Sequence, residues 1–409
     1  MSSASASSLL CFLLHPLACL FLSTPSVWCS LKLRALSRSP YANSIGSTPM
    51  TRLRSLSELL GVRVYVKRED LNPGGSGKDR VALEIIRECL SSGARRNAKV
   101  KGVVEGTSGS TGISLARLCD IVGIPFVCVV PDDQSATKIQ EINKYNGKVI
   151  VTKNASISSP THYCNLAKRI SRDEGYYFGD QFDSCVNYRA HYTKTGPEIL
   201  SQVPNGKVDH FVMSAGTGGT ISGVGNCLKK ASSANVILGD PSGSVLHGYV
   251  SSGVAYTEEQ MESRVRKHRY DTIVEGVGMD RLTGNMKLLD LNDAGSGDGG
   301  GGEATGGRNY SYKVRDQDVV NMCWYVYRKE GMRIGSSTSL NFCALVAHAG
   351  RYSANDVVVT VKCDGWERHR DRLWNKEFIE GRGMIWPESM DIDDLEERIA
   401  AIDCTKSFS

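Results

Sequence analysis

A lysine framed by glycines is the first feature of this sequence that could do chemistry. Residues 72–80 read NPGGSGKDR, with Lys78 after three glycines and a serine. Glycines clustered in this way predict backbone that turns tightly or approaches another group closely. The stretch is not a nucleotide phosphate loop: the pattern G-x-x-x-x-G-K-[ST] would need glycine at Asn72 and a hydroxyl at Asp79. Lys78 therefore needs a different explanation.

Three further stretches rich in glycine and hydroxyl side chains each follow an apolar run and precede a predicted helix. The first, EGTSGSTGISLA (105–116), enters its helix at Ile113 and suits a carboxylate at a helix N-terminus. The second, SAGTGGTISGVG (214–225), suits a phosphate, and isoleucine at position 221 separates it from the dinucleotide-binding fingerprint. The third, IGSSTSLNF (334–342), is a hydroxyl-rich turn that offers a neutral partner to a ligand.

Together these stretches supply an amine, a phosphate cradle, a carboxylate cradle and a hydroxyl partner. A lysine amine is nucleophilic only when it is neutral, and burial lowers a lysine pKa from its ordinary value of about 10.4. Such an amine can form a Schiff base with an aldehyde. An aldehyde cofactor that carries a phosphate fits the whole set, so the sequence predicts pyridoxal 5'-phosphate as the cofactor.

Short apolar runs alternate with helix-like stretches after about residue 42. The helical periodicity is clearest in VALEIIRECL (81–90), whose apolar side chains fall on one face. Near-continuous apolar strands between helices predict parallel sheets that helices cover on both faces, which is an α/β fold. The predicted strands are RVYVK (63–67), GVVEG (102–106), PFVCVVP (125–131), KVIVT (148–152), HFVMSAG (210–216), NVILGD (235–240) and VVVTVKCD (357–364).

The composition is that of a soluble globular protein: 409 residues, 41% hydrophobic and 23% charged, which suffices for two or three domains or lobes. The net charge is only +5 and no basic block carries interleaved aromatic residues, so nucleic acid is not an expected partner. The thirteen cysteines are scattered without a C-x-x-C pair, which disfavours a disulfide framework or a zinc site and favours a reducing compartment. We predict no metal site and interpret His191 as structural.

The N-terminus differs from the rest of the chain. Residues 9–29 read LLCFLLHPLACLFLSTPSVWC, which is long enough to span a bilayer, although a histidine and two prolines interrupt the run. Three basic residues follow it, and the first acidic residue is Glu58. We interpret residues 1–42 as a mitochondrial targeting segment or a membrane anchor, one form of which leaves the catalytic part in the cytosol at the outer membrane. A disordered extension on a cytoplasmic protein is the alternative.

The glycine-rich stretch at residues 291–309 differs from the candidate loops in the elements that flank it. Residues 291–309, LNDAGSGDGGGGEATGGRN, contain eight glycines and little that could pack. A phosphate-binding loop would be joined to a strand and to the start of a helix, which this stretch lacks. We therefore interpret it as a flexible insertion between two elements.

From SIGSTPM (44–50) to about Trp374 the chain resembles the fold-type II pyridoxal-phosphate enzymes, in the cysteine synthase and cystathionine β-synthase branch. The matching motifs occur in the family's order: IGSTPM, NPGGSGKDR, EGTSGSTGISLA, QFDSCVN with HYTKTGPEI, SAGTGGT, VEGVG, GSSTS and VTVKCD. The resemblance implies a fold like that of the tryptophan synthase β subunit, in which two lobes each contain a largely parallel twisted sheet covered by helices. The implied organisation is a larger cofactor lobe at 43–85 and 184–375, a smaller mobile lobe at 86–183, and a C-terminal tail at 376–409.

The resemblance also implies a role for each matching position. Lys78 would hold the cofactor as a Schiff base and later move the substrate α-proton. Gly276 would lie beside the cofactor and leave room for the substrate, and Ser337 would meet the pyridine nitrogen. The phosphate would be bound by Gly216, Thr217, Gly218, Gly219 and Thr220, and the substrate carboxylate by Thr107, Ser108, Gly109, Thr111 and Gln181.

Four positions depart from the family's pattern. Ser110 replaces an asparagine that contacts the cofactor's ring oxygen, and the shorter serine would reach that oxygen through a water molecule. The stretch CDGW (363–366) replaces C-D-S-G, which puts Gly365 and Trp366 at positions that are usually hydroxylated or small. Ser339 stands where the family has a smaller residue. These departures bear on the substrate rather than on the fold.

A neutral hydroxyl at the pyridine nitrogen, unlike a carboxylate, does not keep the ring protonated, so a long-lived carbanion is less favoured. This favours loss of a β-leaving group through an aminoacrylate, followed by attack of sulfide or a thiol. We therefore expect a homodimeric cysteine synthase that makes L-cysteine and acetate from O-acetyl-L-serine and sulfide. The alternatives are cystathionine synthesis from serine and homocysteine, dehydration of a hydroxy-amino acid, and a non-catalytic anchored paralogue that binds the cofactor or a partner.

Overall fold

A computed structural model of the chain describes residues 24–107, 109–133, 136–256, 272–291 and 307–402. Apolar runs form the strands, as the sequence predicts. Within these ranges the strands are β1 (Met50–Arg52), β2 (Arg63–Arg68), β3 (Val103–Gly106), β4 (Phe126–Pro131), β5 (Lys148–Thr152), β6 (Tyr177–Phe178), β7 (His210–Ser214), β8 (Asn235–Pro241), β9 (Asn309–Val314) and β10 (Val357–Lys362).

Helices separate most of the strands, and several of them begin directly after a glycine-rich turn. Within the same ranges the α-helices are α1 (Pro25–Arg38), α2 (Pro40–Asn43), α3 (Arg54–Leu60), α4 (Lys78–Arg95), α5 (Ser110–Val122), α6 (Ala136–Lys144), α7 (Tyr163–Glu174), α8 (Cys185–Ala190), α9 (Gly196–Gln202), α10 (Gly219–Ser232), α11 (Leu246–Ser252), α12 (Asp316–Glu330), α13 (Ser336–Ala347), α14 (Lys376–Glu380) and α15 (Ile392–Ala400). A π-helical turn, His191–Thr195, joins α8 to α9.

The larger of two compact units contains residues 44–81 and the described part of the chain from Gln181 onward. Its sheet has the strand order β1–β2–β10–β7–β8–β9, and all neighbouring strands are parallel except β1, which pairs antiparallel with β2. Every residue of β7 and β10 is buried, which is the pattern of a parallel sheet covered on both faces. The helices α14 and α15 belong to this unit's core through Ile379, Leu395 and Ile399.

The smaller unit contains the described residues 24–43 together with Ala82–Asp180. Its sheet has the order β5–β4–β3–β6, and all pairs are parallel. The helix α1 packs into this unit with Cys29 and Leu36 buried. Lys32 Nζ donates to the carbonyl of Gly123 at 3.2 Å, which fixes α1 beside the end of α5.

Three candidate loops leave the same edge of the larger sheet. The strands β2, β10 and β7 are adjacent and parallel, so their carboxyl ends lie side by side. They lead into NPGGSGKDR, CDGW and AGTGGT respectively. In α/β sheets ligands bind outside the carboxyl ends of the strands. The fold therefore places these three loops where a ligand site is expected.

The strand predictions and the α/β fold class are confirmed, and the structure adds four details. The helix after EGTSGS begins at Ser110, one turn before the expected Ile113. Residues 376–402 of the predicted C-terminal tail pack into the core of the larger unit. Of the interpreted insertion, 292–306 lies outside the described residues and Asn309 begins β9. Of the interpreted leader, 1–23 lies outside them, and 25–38 is helix α1.

Within the described part of the chain, no helix combines the length and the apolar character needed to cross a bilayer. Within it, too, no group of three or more histidine, cysteine, aspartate or glutamate side chains is arranged to hold a metal ion. The hydrophobic run 9–29 falls mostly outside this part of the chain.

Candidate active site

Lys78 is the first residue of α4, at the end of a loop that backbone contacts hold in place. The Gly77 N–H donates to the Cys363 carbonyl at 3.2 Å, and the Gly365 N–H donates to the Gly75 carbonyl at 3.3 Å. Gly75 has a φ of +79°, which favours glycine at this turn. The Lys78 loop and the CDGW loop therefore form one backbone-paired structure, and Lys78 is presented from a fixed first turn of a helix.

The stretch AGTGGT forms a tight turn between β7 and α10, and its glycines are needed for space. A Cβ on Gly216 would overlap the Gly276 carbonyl, and a Cβ on Gly219 would overlap the side chain of Asn187. Gly218 combines a φ of +83° with a would-be Cβ 2.7 Å from the backbone nitrogen of Met286. The resulting compact turn leaves the first N–H groups of the 14-residue helix α10 without partners inside the helix, which is a site for an anion.

Side chains from neighbouring segments hold this turn. Asn187 Nδ2 donates to the Thr217 hydroxyl at 2.9 Å and also to the Gln181 carbonyl at 2.9 Å. Thr283 Oγ1 donates to the Thr217 carbonyl at 2.8 Å. The structure thus brings the predicted substrate residue Gln181 to the predicted phosphate turn.

His191 lies beside the same turn as a neutral group. It is 1% exposed, and burial lowers its pKa to about 3. Its Nε2 is 3.2 Å from the hydroxyl of Thr220, and its Nδ1 is 3.0 Å from the hydroxyl of Thr195. These contacts fix the orientation of the Thr220 hydroxyl, and the interpretation of His191 as a structural residue agrees with them.

Ser337 is buried in the first turn of α13, next to Cys363 of the CDGW loop. The thiol of Cys363 lies within hydrogen-bond reach of the Ser337 hydroxyl and feels the charge of Lys78. Burial raises the pKa of Cys363 to about 11, so the group beside Ser337 is a neutral thiol. Asn341 bonds to the backbone of both neighbouring strands, accepting from Ser214 N at 2.6 Å and donating to the Val361 carbonyl at 3.0 Å.

Ser339 and Trp366, two of the positions that depart from the family pattern, are held by contacts with other parts of the larger unit. The Ser339 hydroxyl donates to the Val319 carbonyl at 2.6 Å, so it faces α12. The Trp366 ring lies against the guanidinium of Arg333, 4.5 Å away, and packs near Trp374. Gly276 has a φ of +76° and open space where a Cβ would stand. The space beside Gly276 is consistent with the role expected for it.

The smaller unit carries four of the five residues predicted to bind the substrate carboxylate, and the fifth, Gln181, lies in the larger unit. Thr107 is buried after β3, and its hydroxyl accepts from the Gly109 N–H at 3.2 Å. Ser110 and Thr111 form the first turn of the 13-residue helix α5. Ser108 lies outside the described residues. The described members of this set within the smaller unit therefore cluster at one helix N-terminus, where a carboxylate is favoured.

A buried ion network supports the first turn of α4 from the other side. Arg80 Nε is 2.7 Å from Glu69 Oε2, and Arg80 Nη2 is 2.7 Å from Glu198 Oε2. Lys67 is fully buried, with Nζ 2.8 Å from Glu198 Oε2 and 2.6 Å from the Thr48 carbonyl. Burial would raise the pKa of Glu198, but Arg80 and Lys67 outweigh it and lower this pKa to about 2. Lys67 is therefore a structural lysine, unlike Lys78.

Comparison with known proteins decides the family. A family profile described as "Pyridoxal-phosphate dependent enzyme" matches residues 41–364. The chain belongs to this family of pyridoxal-phosphate-dependent enzymes. Its relatives in the family include cysteine synthase 2 of Schizosaccharomyces pombe, which is 38% identical over 85% of this chain and 87% of that protein. The resemblance inferred from the motifs is thereby confirmed, as is the cofactor.

Two further relatives and one solved structure extend the comparison. A cysteine synthase of Saccharomyces cerevisiae, whose name provisionally assigns it to mitochondria, is 37% identical over 81% of this chain and 83% of that protein. A cystathionine beta-synthase of Apis mellifera is 30% identical over 84% of this chain and 63% of that protein. The crystal structure of an O-ureido-L-serine synthase aligns with a TM-score of 0.65 and 25% identity, covering 82% of this chain and 95% of that one.

The larger unit fits the family's cofactor. The glycine turn 216–219 would lose its shape with any added Cβ, and it ends on a helix N-terminus suited to a phosphate. No carboxylate is among the contacts described for Thr217 and Thr220. Lys78 follows β2, and Cys363, which follows the intervening strand β10, feels the charge of Lys78 and lies within hydrogen-bond reach of the Ser337 hydroxyl. These residues would hold pyridoxal phosphate by its aldehyde, phosphate and ring nitrogen.

Sequence reasoning missed the residues that hold the loops from a distance. Asn187, Thr283 and Asn341 contact segments far away along the chain, so no local pattern singles them out. His369 was also missed. It lies five residues beyond Asp364, and its second carboxylate partner comes from the loop that contains Gly276.

Proposed function

We propose that this enzyme is a cysteine synthase, which converts O-acetyl-L-serine and sulfide into L-cysteine and acetate. The observation that carries the proposal is that the Lys78 loop, the CDGW loop beside Ser337 and the 216–220 turn follow three neighbouring strands of one sheet, β2, β10 and β7. The names of the relatives that match most of the chain support the choice of substrates.

The reaction replaces one bond at the substrate's Cβ with another. Pyridoxal phosphate, when bound, supplies an electron sink for the pair released from the substrate's Cα–H bond. Lys78 Nζ takes that proton and later returns it to Cα. Acetate leaves Cβ with the electron pair of the C–O bond, and the sulfur of sulfide forms the new bond to Cβ. Atoms and charges balance, because sulfide enters and acetate departs.

The other residues of the site bind and orient. The N–H groups and hydroxyls of the 216–220 turn would hold the phosphate, and Thr107, Ser108, Gly109, Thr111 and Gln181 the substrate carboxylate. Gly276 would leave room for the substrate, and Ser110 would face the ring oxygen. Because Ser337 is neutral, it would leave the pyridine nitrogen unprotonated and favour elimination of acetate over slower carbanion chemistry.

An assay of the full-length chain tests the proposal. O-acetylserine or serine is offered as donor and sulfide or homocysteine as acceptor, with Lys78→Ala as the inactive control. We expect L-cysteine and acetate from O-acetylserine and sulfide at a rate far above the other three combinations. Cystathionine as the main product, or no turnover in any combination by a protein that has bound its cofactor, would contradict the proposal.

We further infer a mitochondrial location, with the N-terminal segment as targeting signal or anchor. The acid-free, arginine-containing lead and the mitochondrial name given to one relative support this inference. A fusion of residues 1–42 to a fluorescent reporter tests it, because a reporter that stays freely cytosolic would contradict it. We also expect a homodimer, which analytical ultracentrifugation of the purified protein would detect as twice the chain mass.

A further inference from the structure

A buried histidine lies between two carboxylates beside the first turn of α13. His369 is 3% exposed. Its Nε2 is 3.0 Å from Oδ1 and 3.2 Å from Oδ2 of Asp364, and its Nδ1 is 3.3 Å from Oε2 of Glu275. The Ser336 hydroxyl is 3.4 Å from the same Nδ1. Both ring nitrogens therefore face acceptors, which is the arrangement expected of an imidazolium.

The three partners of His369 come from three different loops of the candidate site. Asp364 follows β10 in the CDGW loop, where it pairs with Ser76 of the Lys78 loop. Glu275 directly precedes Gly276, and its N–H donates to the Ser336 hydroxyl at 3.0 Å. A Cβ on Gly335 would overlap both His369 and Asp364, so the α13 turn rests directly on the ion pair. One side chain thus connects the loops that carry Lys78, Gly276 and Ser337.

The charges around the imidazole favour its protonated form. Burial alone would lower the pKa of His369, but Asp364 and Glu275 outweigh burial and raise it to about 9. Burial likewise tends to raise the pKa of Asp364, and the charge of His369 brings it below its ordinary value. Arg368 acts on Asp364, and Arg372 Nη1 is 3.5 Å from Glu275 Oε1. Without the imidazolium, two half-buried carboxylates would share this space, and only Arg368 and Arg372 would offset their charges.

We propose that His369 is a positioning residue of the active site, which as an imidazolium holds the Lys78, Gly276 and Ser337 loops in register around the cofactor. The inference rests on the proposed function for the roles of those three residues. Loss of the proton leaves Asp364 and Glu275 in repulsion, which separates the loops and alters the surroundings of the ring. His369 touches none of the reacting atoms.

The test follows the bound cofactor without substrate, so that it does not depend on which reaction the enzyme catalyses. Visible circular dichroism of the cofactor is recorded from pH 6 to 10 for the wild type, His369→Gln and His369→Lys. We expect a wild-type transition near pH 9. His369→Gln should lack it and show, already at pH 7, the wild-type signal of pH 10. His369→Lys, which retains a positive charge, should recover the neutral-pH signal.

Kinetics and a matched control separate positioning from general damage. In His369→Gln we expect kcat to fall about tenfold with KM changed less than about twofold, and His369→Lys to regain most of the loss. His348→Gln is the control, because His348 is equally buried in the same unit. It contacts Tyr312 and His210 instead, and His210 begins β7 at the end of the strand opposite to the candidate site. This variant should leave the cofactor signal unchanged.

A variant of Glu275, which contacts His369, keeps the inference testable if His369→Gln does not fold. Glu275→Gln removes one carboxylate at a half-buried position and should lower the midpoint of the dichroism transition by about one pH unit or more. A transition that keeps its midpoint in Glu275→Gln, or persists in His369→Gln, overturns the inference. If the transition follows His369 while no cysteine is formed from O-acetylserine, the proposed function fails and the positioning role stands.

Discussion

His191 and His369 lie in two regions of the larger unit that serve opposite ends of the expected cofactor, and both are buried almost completely. His191, beside the phosphate turn, contacts hydroxyls, and burial lowers its pKa to about 3. His369, beside the Ser337 turn, is disfavoured as a cation by burial, but two carboxylates raise its pKa to about 9. Equally buried histidines are therefore neutral in one region and cationic in the other at neutral pH, because their hydrogen-bond partners differ.

The difference matches what each region has to hold. A neutral, hydroxyl-rich and glycine-rich wall accepts a dianionic phosphate without a competing carboxylate. The other region contains Lys78 and Ser337, and ion pairs between loops fix its geometry in addition to backbone hydrogen bonds. Shape dominates at one end of the site and charge at the other.

The largest expected effect comes from breaking the shape of the phosphate region. Gly218→Val imposes a side chain at a φ of +83° and 2.7 Å from the Met286 backbone, so cofactor affinity should fall at least about 100-fold. Equilibrium dialysis against pyridoxal phosphate measures this. Gly331→Val shares the positive φ but has open space around it, and it should bind cofactor as the wild type does.

The second prediction uses pH to separate the two histidines. The folded-state pKa of His369 lies above the ordinary 6.5, so its contribution to the free energy of unfolding is complete below pH 6.5. That contribution is lost as pH rises through about 9, and it amounts to about 3 kcal/mol. His191 has the opposite sign, since its depressed pKa makes stability fall as pH drops from 6.5 toward about 3.

Urea denaturation curves at several pH values check this second prediction. The free energy of unfolding of the wild type minus that of His369→Gln should fall at alkaline pH. The corresponding difference for His191→Gln should fall at acidic pH. The same sign of slope for both differences would show that the pKa values of the two imidazoles are not shifted in opposite directions.

A smaller effect is expected from the Thr220 hydroxyl. Thr220→Val removes a hydroxyl that His191 orients and that would donate to the phosphate. A hydrogen bond to a charged group contributes about 1.5–3 kcal/mol. Cofactor affinity should therefore fall about 10- to 100-fold. Thr193→Val, at an exposed hydroxyl that bonds to the Arg189 carbonyl, is the matched control and should bind normally.

The smallest effect concerns the ring end of the site. Ser337→Asp should favour a protonated pyridine nitrogen, and each pKa unit corresponds to about 1.4 kcal/mol, or about tenfold in partitioning if fully expressed in the barrier. Transamination products from O-acetylserine should then rise relative to cysteine, while Ser337→Ala should change the ratio little. Identical product ratios in the wild type and both variants would remove Ser337 from the ring nitrogen.

The sequence predicted the strands and the loops at their ends because these depend on local patterns. Apolar runs define β2, β7 and β10, and glycine clusters mark the turns that follow them. It did not predict β9, because NYSYKV alternates polar and aromatic residues and directly follows the glycine-rich stretch. The sequence also did not predict that Cys29 and Leu36 are buried, since the packing of a short helix against a distant element leaves no local signal.

The central claim is that Lys78 carries the cofactor, and chemical trapping tests it most directly. Borohydride reduction of the loaded full-length enzyme fixes the cofactor to its lysine, and peptide mapping identifies the residue. We expect the label on Lys78, and none after Lys78→Ala, although the variant still folds. Lys67 is the internal control, since it is fully buried and paired with Glu198. A label on Lys67 or any other lysine in the wild type would contradict the account.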